Sequence, residues 1–155
     1  MKRHSALVAS GLLLFVVLAC NFSKNKNSNT NANTTNTNSG SNRPADAEIF
    51  TDEVYAAKSE DGEATSTFSP SDRTVHVIIN LNKAKAGTDV KVVWFADEVE
   101  GATNKELKTL EYTTKAFDKK IPGYLRWSQD WPKGRYRVAV YINGNLDRTI
   151  YYEVQ

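Results

Sequence analysis

The chain has 155 residues and nearly balanced charge, with 20 lysines and arginines, 18 aspartates and glutamates, and a formal net charge of +2. Nucleic-acid-binding surfaces concentrate basic charge, so this balance argues against a nucleic-acid partner. A single cysteine excludes a disulfide framework within the chain, and the length suits one domain.

The first twenty residues have the pattern of an export signal. Lys2 and Arg3 precede an apolar run over residues 6–19, and the small residue Ala19 stands directly before Cys20. These are the charged, apolar and small-residue regions of a signal peptide. The stretch Val17-Leu18-Ala19-Cys20 resembles the lipobox of bacterial lipoproteins, a resemblance that covers only about the first twenty residues. It implies that residues 1–19 are removed and that Cys20 is lipidated and becomes the new N-terminus.

Two other interpretations of this segment stay open. A transmembrane anchor needs about 20 apolar residues, and the run over residues 6–19 is shorter. An ordinary signal peptide cleaved elsewhere would leave Cys20 as an unpaired thiol. Lipidation accounts for a lone cysteine in an exported chain, so we expect attachment to the membrane through a lipid anchor, such as palmitate, at Cys20. Removal of Lys2 and Arg3 leaves a mature chain with balanced charge.

Residues 20–46 are predicted to comprise the lipidated cysteine and a disordered tether rich in Asn, Ser and Thr. Phe22 is the only large apolar residue between positions 21 and 45. Such a segment cannot bury enough apolar surface to offset the entropy of ordering. A flexible coil of about 25 residues reaches about 25–30 Å, which would lift a domain clear of lipid headgroups. Asn-rich tracts can also aggregate, but the interspersed Ser, Thr and Lys favour a plain spacer.

Residues 47–155 have the alternation and turn signals of short strands, with no convincing long helix. The segment 97–104 is acidic and contains Gly101, which indicates an exposed loop. The segment 106–114 is either a strand or one helical turn passing into a strand, and Pro122-Gly123 suggests an interruption in the segment 119–127. The predicted strands are 49–57, 64–68, 74–81, 89–96, 106–114, 119–127, 135–142 and 146–154.

Alternation along these strands also predicts which side chains form the core. One face of the third strand, one face of the fourth and one face of the seventh are apolar. The second face of the fourth strand, with Lys91, Val93 and Phe95, is not cleanly polar, so we expect part of it to be covered. The predicted core residues are Val75, Val77, Ile79 and Leu81, then Val90, Val92 and Trp94, then Tyr136, Val138, Val140 and Ile142.

The last two strands flank Asn143-Gly144. Asn-Gly between alternating strands is the strongest short hairpin signal, because a type I′ turn needs positive φ at both central residues. We therefore predict a two-residue hairpin that closes the chain.

Seven or eight short strands in about 109 residues predict an all-β fold, a single antiparallel β-sandwich. Trp94 lies in mid-strand, and the segment Trp131-Pro-Lys-Gly134-Arg-Tyr136 followed by Asn143-Gly144 is similar to the ending of small bacterial surface sandwich domains. This resemblance implies a single immunoglobulin-like β-sandwich after a disordered linker, with Trp94 in its core. The chain lacks the cysteine pair of antibody domains.

Residues suited to catalysis or metal binding are scarce. His76 is the one histidine of the mature chain, and it faces away from Val75 and Val77 on its strand. Asp97, Glu98 and Glu100 are neighbouring carboxylates on an expected loop without a cleft. They and the acidic residues 60–63 offer the oxygen ligands that Ca²⁺ prefers, but neither segment has the spacing of an EF-hand loop. We predict a chain that is not an enzyme and has no cofactor and no metal.

Aromatic and basic residues supply two candidate binding sites. The first is Tyr124, Trp127 and Trp131, since exposed rings stack on sugars or anchor protein partners; the alternative is that Trp131, beside Pro132, closes the end of the sandwich while Trp127 belongs to the core. The second is the outer face of the final hairpin, where interleaved Arg and Tyr have the composition of an interface, although solvated side chains covering a sheet would look the same. Its predicted members are Arg135, Arg137, Tyr141, Arg148 and Tyr151.

These observations predict a membrane-anchored lipoprotein of the bacterial cell envelope whose sandwich is a non-catalytic protein-interaction or accessory module. The alternative is a carbohydrate- or cell-wall-binding module that uses exposed aromatic side chains. The partner is then an envelope protein or a glycan, not a nucleic acid. Lipoproteins retained at the inner membrane often carry Asp after the cysteine; Asn21 at that position favours the outer membrane in a bacterium with two membranes.

Overall fold

The computed structural model describes residues 42–155, and every regular element within them is a β-strand. No helix among these residues is long and apolar enough to cross a membrane. Cys20, the signal segment and residues 20–41 of the expected tether lie outside the described residues. The strands are β1 Thr51–Ala57, β2 Thr67–Phe68, β3 Thr74–Leu81, β4 Asp89–Val99, β5 Ala102–Thr113, β6 Lys120–Arg126, β7 Gly134–Ile142 and β8 Asn145–Val154.

Two sheets pack against each other. One has the order β1-β3-β6, and the other has the order β2-β8-β7-β4-β5. All pairings are antiparallel except the short parallel pair of β2 with β8. The predicted all-β sandwich of seven or eight strands is confirmed.

The core lies between the sheets and contains the faces that alternation predicted. Trp94 is fully buried at its centre, and every predicted core residue of β3, β4 and β7 belongs to the same cluster. Gly123 on β6 lies against the Trp94 ring, where a Cβ atom would come 3.1 Å from Cη2. A residue without a side chain at this point therefore lets the indole pack close to the opposite sheet.

The final hairpin and strand β3 agree with the predictions, since β3 has the expected bounds. Asn143 and Gly144 have φ of 49° and 83°, as a type I′ turn requires. β6 runs without interruption across Pro122, because β6 is an edge strand and pairs only with β3. A proline without an N–H donor is tolerated at such an edge.

Two segments differ from the predictions. Residues 97–104 are not a loop: β4 continues to Val99 and β5 begins at Ala102, with Gly101 at φ 76° in the tight turn between them. Irregular pairing in β4 obscures the alternation there, with shifts of register at Trp94/Phe95 and at Ala96/Glu98. Of the segment 106–114, residues 106–113 belong to β5 and contain no helical turn.

Residues 42–46, which composition assigns to the tether, contact the sandwich. The N–H of Asn42 donates to the Leu146 carbonyl over 2.9 Å, and Arg43 pairs with Asp147 over 3.4 Å. Asp147 is buried and also accepts a hydrogen bond from the Thr51 N–H over 2.9 Å. These contacts tie the N-terminal residues of the domain to the start of β8, next to the turn of the final hairpin.

Candidate functional site

The register of β4, β7 and β8 brings one group of aromatic and basic side chains together on the exposed side of the larger sheet. Arg137 lies opposite Phe95 on one side and Tyr151 on the other, and Lys91 lies opposite Tyr141. We call this surface the outer face; its residues are Lys91, Phe95, Asp97, Arg135, Arg137, Tyr141 and Tyr151.

Between the rows of the outer face lies a row of small side chains that is nearly closed to solvent. Val93, Ala139 and Thr149 are neighbours on the three strands, and each is at most 5% exposed. Their small side chains are flanked by the long side chains of the rows above and below. The expectation that the second face of β4 is partly covered is confirmed.

Each aromatic ring of the outer face lies beneath a cation. The Arg137 guanidinium is 4.0 Å from the centroid of Phe95, Arg135 is 5.4 Å from Tyr151, and Lys91 Nζ is 4.5 Å from Tyr141. Such contacts contribute about 0.5–1 kcal/mol at exposed sites. The three pairs hold the rings and the cations in one layer.

Asp97 fixes the two arginines. Its carboxylate accepts hydrogen bonds from Nε of Arg135 over 2.9 Å and from Nε of Arg137 over 3.2 Å. Asp97 falls at the irregularity of β4 between Ala96 and Glu98, and a bulge of this kind re-aims a side chain. The hydrogen bond to Asp97, with the nearby charge of Glu98, raises the pKa of Arg135 above its ordinary value.

Further contacts complete this arrangement. Glu98 Oε1 lies 2.7 Å from Nη2 of Arg135, and Asn104 Oδ1 accepts a hydrogen bond from Nη2 of Arg137. The arginine side chains are consequently held in defined orientations before any partner arrives. Such preorganisation lowers the entropy lost on association.

The outer face consists mainly of aromatic and basic side chains. It combines Tyr, Phe and Arg, the residue types enriched at protein interfaces, while its carboxylates are engaged by arginines. Within residues 42–155 no group of three or more His, Cys, Asp or Glu residues could hold a metal ion. His76 is on the other sheet, where its ring lies 6.0 Å from that of Tyr124.

Arg148 does not belong to the outer face, and that part of the predicted site is wrong. It lies opposite Val140, in phase with the core residues Ile150 and Tyr152. Its guanidinium donates to Thr51 Oγ1 over 3.1 Å and to the Thr51 carbonyl over 3.2 Å, which ties β8 to β1 of the other sheet. Arg148 and Tyr151 are three positions apart, so alternation along a strand places them on opposite faces of β8. This spacing was the sequence signal that Arg148 is not on the outer face.

The other predicted cluster, Tyr124, Trp127 and Trp131, is not one site. Trp131 is 2% exposed and packs in the core, with its ring 5.3 Å from that of Trp127 and 5.3 Å from that of Tyr136. Trp127 is partly buried against the same core. Tyr124 is 54% exposed on the outer side of the smaller sheet. The alternative therefore describes Trp131, which is buried, better than Trp127, which is only partly buried.

Sequence reasoning missed Phe95 and Asp97 as parts of the outer face. Phe95 was assigned to a partly covered strand face, and Asp97 to an acidic loop. The mixed second face of β4 was the available signal for Phe95. No local signal could have located Asp97, since its arginine partners are about 40 positions away.

Comparison with solved structures identifies the architecture. An immunoglobulin-like protein from Pseudomonas aeruginosa is similar to this chain with a TM-score of 0.50 and 14% sequence identity, over 72% of this chain and 100% of that one. The domain has an immunoglobulin-like fold. The Tyr136 hydroxyl donates to the Pro132 carbonyl over 2.7 Å near the start of β7, which is the tyrosine corner found in such sandwiches.

Two further structures have lower TM-scores. A DNA glycosylase from Pseudomonas fluorescens, bound to DNA with an abasic-site analogue, has a TM-score of 0.45 and 12% identity over 70% of this chain and 31% of its own. A mutant β-glucosidase from Listeria innocua in complex with laminaribiose has a TM-score of 0.44 and 14% identity over 70% of this chain and 16% of its own. No protein-family model matches the sequence, and no curated protein matches it significantly.

Proposed function

We propose that this chain is an exported bacterial lipoprotein, acylated at Cys20, whose immunoglobulin-like domain serves as a non-catalytic protein-interaction or accessory module of the cell envelope. The outer face carries the proposal. It presents Phe95 and Tyr151 beneath two arginines that Asp97 holds in place, and Tyr141 beneath Lys91. Asn21 after the cysteine favours the outer membrane where there are two.

The composition of the outer face supports a protein partner. Interface residues that contribute most to binding are enriched in Tyr, Trp and Arg, and they cluster where neighbours exclude water. The row of Phe95, Arg137 and Tyr151 neighbours the nearly closed row of Val93, Ala139 and Thr149, while Glu98 and Glu153 are exposed at the margin. A partner surface with carboxylates facing the arginines and apolar groups facing the rings would be complementary.

The proposal is tested by affinity capture of the intact lipoprotein from its own envelope, with matched variants. Tyr151→Ala together with Arg137→Gln removes the centre of the outer face, and Tyr124→Ala removes an exposed tyrosine of the other sheet. We expect the specific partner to be lost with the first variant and retained with the second. Equal capture by both variants would exclude the outer face as the interface.

Attachment to the membrane is tested separately. Cys20→Ala should abolish incorporation of labelled fatty acid and release the protein from the membrane fraction. Unchanged labelling in this variant would refute lipidation of Cys20.

The second candidate is a glycan- or wall-binding module, supported by the exposure of Tyr124 beside His76. Burial of Trp131 removes one of the rings on which this candidate depended. Binding to purified cell wall that is lost with Tyr124→Ala but retained with the outer-face variant would favour this alternative.

A further inference from the structure

Phe117 is the most exposed large apolar side chain within residues 42–155, at 93%. It lies in the connection between β5 and β6, flanked by Lys115 and Lys119. Single exposed apolar residues are common on protein surfaces, so its exposure alone indicates no site. Two further features concern the turn that carries Phe117: its hydrogen bonds and its position at one end of the sandwich.

Hydrogen bonds to Asp118 fix the turn that carries Phe117. Asp118 accepts a hydrogen bond from the Lys115 N–H over 2.7 Å and another from the Tyr112 hydroxyl. The Tyr112 hydrogen bond, followed by that of Lys115, lowers the pKa of Asp118 below its ordinary value. Asp118 is therefore engaged within the turn, which holds Phe117 outward on a defined backbone.

The same end of the sandwich receives the chain that comes from Cys20. The Leu81 N–H donates to the Lys119 carbonyl, and the Gly87 N–H donates to the Thr114 carbonyl, which joins the turn to the connection 82–88. That connection holds the N-terminal residues in turn: Asn82 Nδ2 donates to the Glu48 carbonyl over 3.0 Å. We call residues 42–50, 82–88 and 114–119 the Phe117 end.

Four lysines lie on the two connections of this end, Lys83 and Lys85 on one and Lys115 and Lys119 on the other. Lys83 and Lys85 both pair with Glu48, over 2.8 Å and 2.5 Å. The single carboxylate of Glu48 therefore neutralises only one of these two positive charges. Among residues 42–155 neither Lys115 nor Lys119 has an acidic side-chain partner within 4.0 Å. The Phe117 end thus combines a projecting ring with an excess of basic side chains, five against three acidic ones.

We propose that the Phe117 end docks on the anionic lipid surface of the membrane to which the chain is anchored, with Phe117 entering the headgroup region and Lys115 and Lys119 binding lipid phosphates. This inference rests on the proposed anchoring at Cys20. Only residues 21–41 separate Cys20 from Asn42, so an anchored chain keeps this end close to lipid at high effective concentration. Apolar rings flanked by lysines are the side chains that bind at such interfaces.

Docking in this orientation leaves the rest of the domain free for a partner. Residues 58–66, 69–73 and 127–133 connect strands at the opposite end of the sandwich. The outer face runs between the two ends and remains accessible from the side. The lipid contact and the proposed protein interface therefore use separate surfaces.

The experiment uses the acylated mature lipoprotein with an environment-sensitive fluorophore on one introduced cysteine, since acylation blocks the thiol of Cys20. Ala116→Cys reports on the Phe117 end, and Gln129→Cys, an exposed position at the opposite end, is the matched control. The protein is reconstituted in neutral phosphatidylcholine vesicles and in vesicles with about a third phosphatidylglycerol, the latter providing a negative surface potential.

We expect blue-shifted, brighter emission at position 116 in the anionic vesicles, with quenching by lipid-borne nitroxides, and water-like emission at position 129. Lys115→Gln with Lys119→Gln should lower the ratio of docked to free protein about 25-fold, at about fivefold for each lysine. Phe117→Ser should also reduce docking, and the side chain's exposure means that the fold does not depend on it.

The inference would be overturned if the emission at position 116 stayed water-like in anionic vesicles. Equal changes of emission at positions 116 and 129 would also overturn it. So would a response that requires added envelope protein, since this would indicate a protein partner at the Phe117 end. The mass of the acyl group is measured on the same sample. A chain without an acyl group contradicts the proposed anchoring, whereas an acylated chain whose label remains in water contradicts only the docking.

Discussion

Two groups of aromatic side chains in this domain have similar composition and different surroundings. Trp127, Trp131 and Tyr136 are close together in the sequence and pack ring against ring into the end of the core. Phe95, Tyr141 and Tyr151 come from three different strands and lie side by side on the outer face. Proximity along the chain produced a structural cluster, and proximity across strands produced the candidate interface.

The polar groups around the two clusters explain the difference. In the end cluster the hydroxyl of Tyr136 bonds the Pro132 carbonyl, and no cation lies among its rings. On the outer face every ring has a lysine or arginine above it.

The largest expected effect comes from removing a ring of the end cluster. Trp131→Ala should lower the free energy of unfolding by about 3–5 kcal/mol, since it leaves a cavity in the core. Tyr141→Ala on the outer face should cost about 1 kcal/mol or less. Urea denaturation of both variants measures the contrast. Similar losses would mean that the two clusters do not differ in structural role.

Alkaline pH should lower the free energy of unfolding of the domain through the buried phenols of Tyr136 and Tyr152. Burial raises the pKa of Tyr136 from 10.0 to about 12, and burial with the nearby Tyr136 raises that of its stacked neighbour Tyr152. Stability that depends on the protonated phenols is fully present below pH 10 and declines as the pH rises from 10 towards 12. The slope is about 1.4 kcal/mol per pH unit for each tyrosine involved.

Denaturation midpoints recorded from pH 8 to about 11.5 check this slope. Tyr136→Phe should remove its share of the decline. A profile that is flat above pH 10 would contradict the protonated state of the buried phenols.

A smaller effect is expected when the tyrosine corner alone is removed. Tyr136→Phe keeps the ring stacked on Tyr152 but deletes the hydrogen bond to the Pro132 carbonyl, which should cost about 1 kcal/mol at neutral pH. Tyr151→Phe, which leaves the ring beneath Arg135, is the matched control and should cost less. The variants are compared by thermal and urea unfolding.

The smallest expected effect on stability is that of Asp97→Asn. The substitution weakens the contacts to Arg135 and Arg137, which are partly exposed, so the loss should be about 0.5–1 kcal/mol and should shrink at high salt. Partner capture should fall clearly although the free energy of unfolding changes little, because the arginines lose their fixed orientation. Normal capture with this variant would show that Asp97 does not organise the interface.

Local pattern predicted much of the fold because strand faces depend on near neighbours. The alternation over Val75, Val77 and Ile79 located β3 correctly, and Asn143-Gly144 located the final turn. The segment 97–104 was mistaken for a loop, since the irregular pairing of β4 shifts the alternation just where the acidic residues begin. Composition assigned residues 42–46 to the tether, although Arg43 and Asn42 contact the final hairpin.

The candidate site was predicted less well. Arg135, Arg137, Tyr141 and Tyr151 lie on the outer face as expected, while Arg148 turns inward to Thr51 and Trp131 is buried. Both errors came from treating neighbours in the chain as neighbours on a surface. Strand register and sheet packing decide that question, and both depend on partners far away in the sequence.

By itself the sequence determined the class of the domain, its core faces centred on Trp94 and its closing hairpin, because these follow from alternation and turn chemistry within a few residues. It also carries the prediction of a lipid anchor at Cys20. Only the tertiary structure decided that Asp97 joins two arginines beneath which aromatic rings lie, and that Phe117 projects at the end where the chain from Cys20 arrives. Those arrangements required β-bulges, strand order and loop contacts, which bring together residues separated by tens of positions.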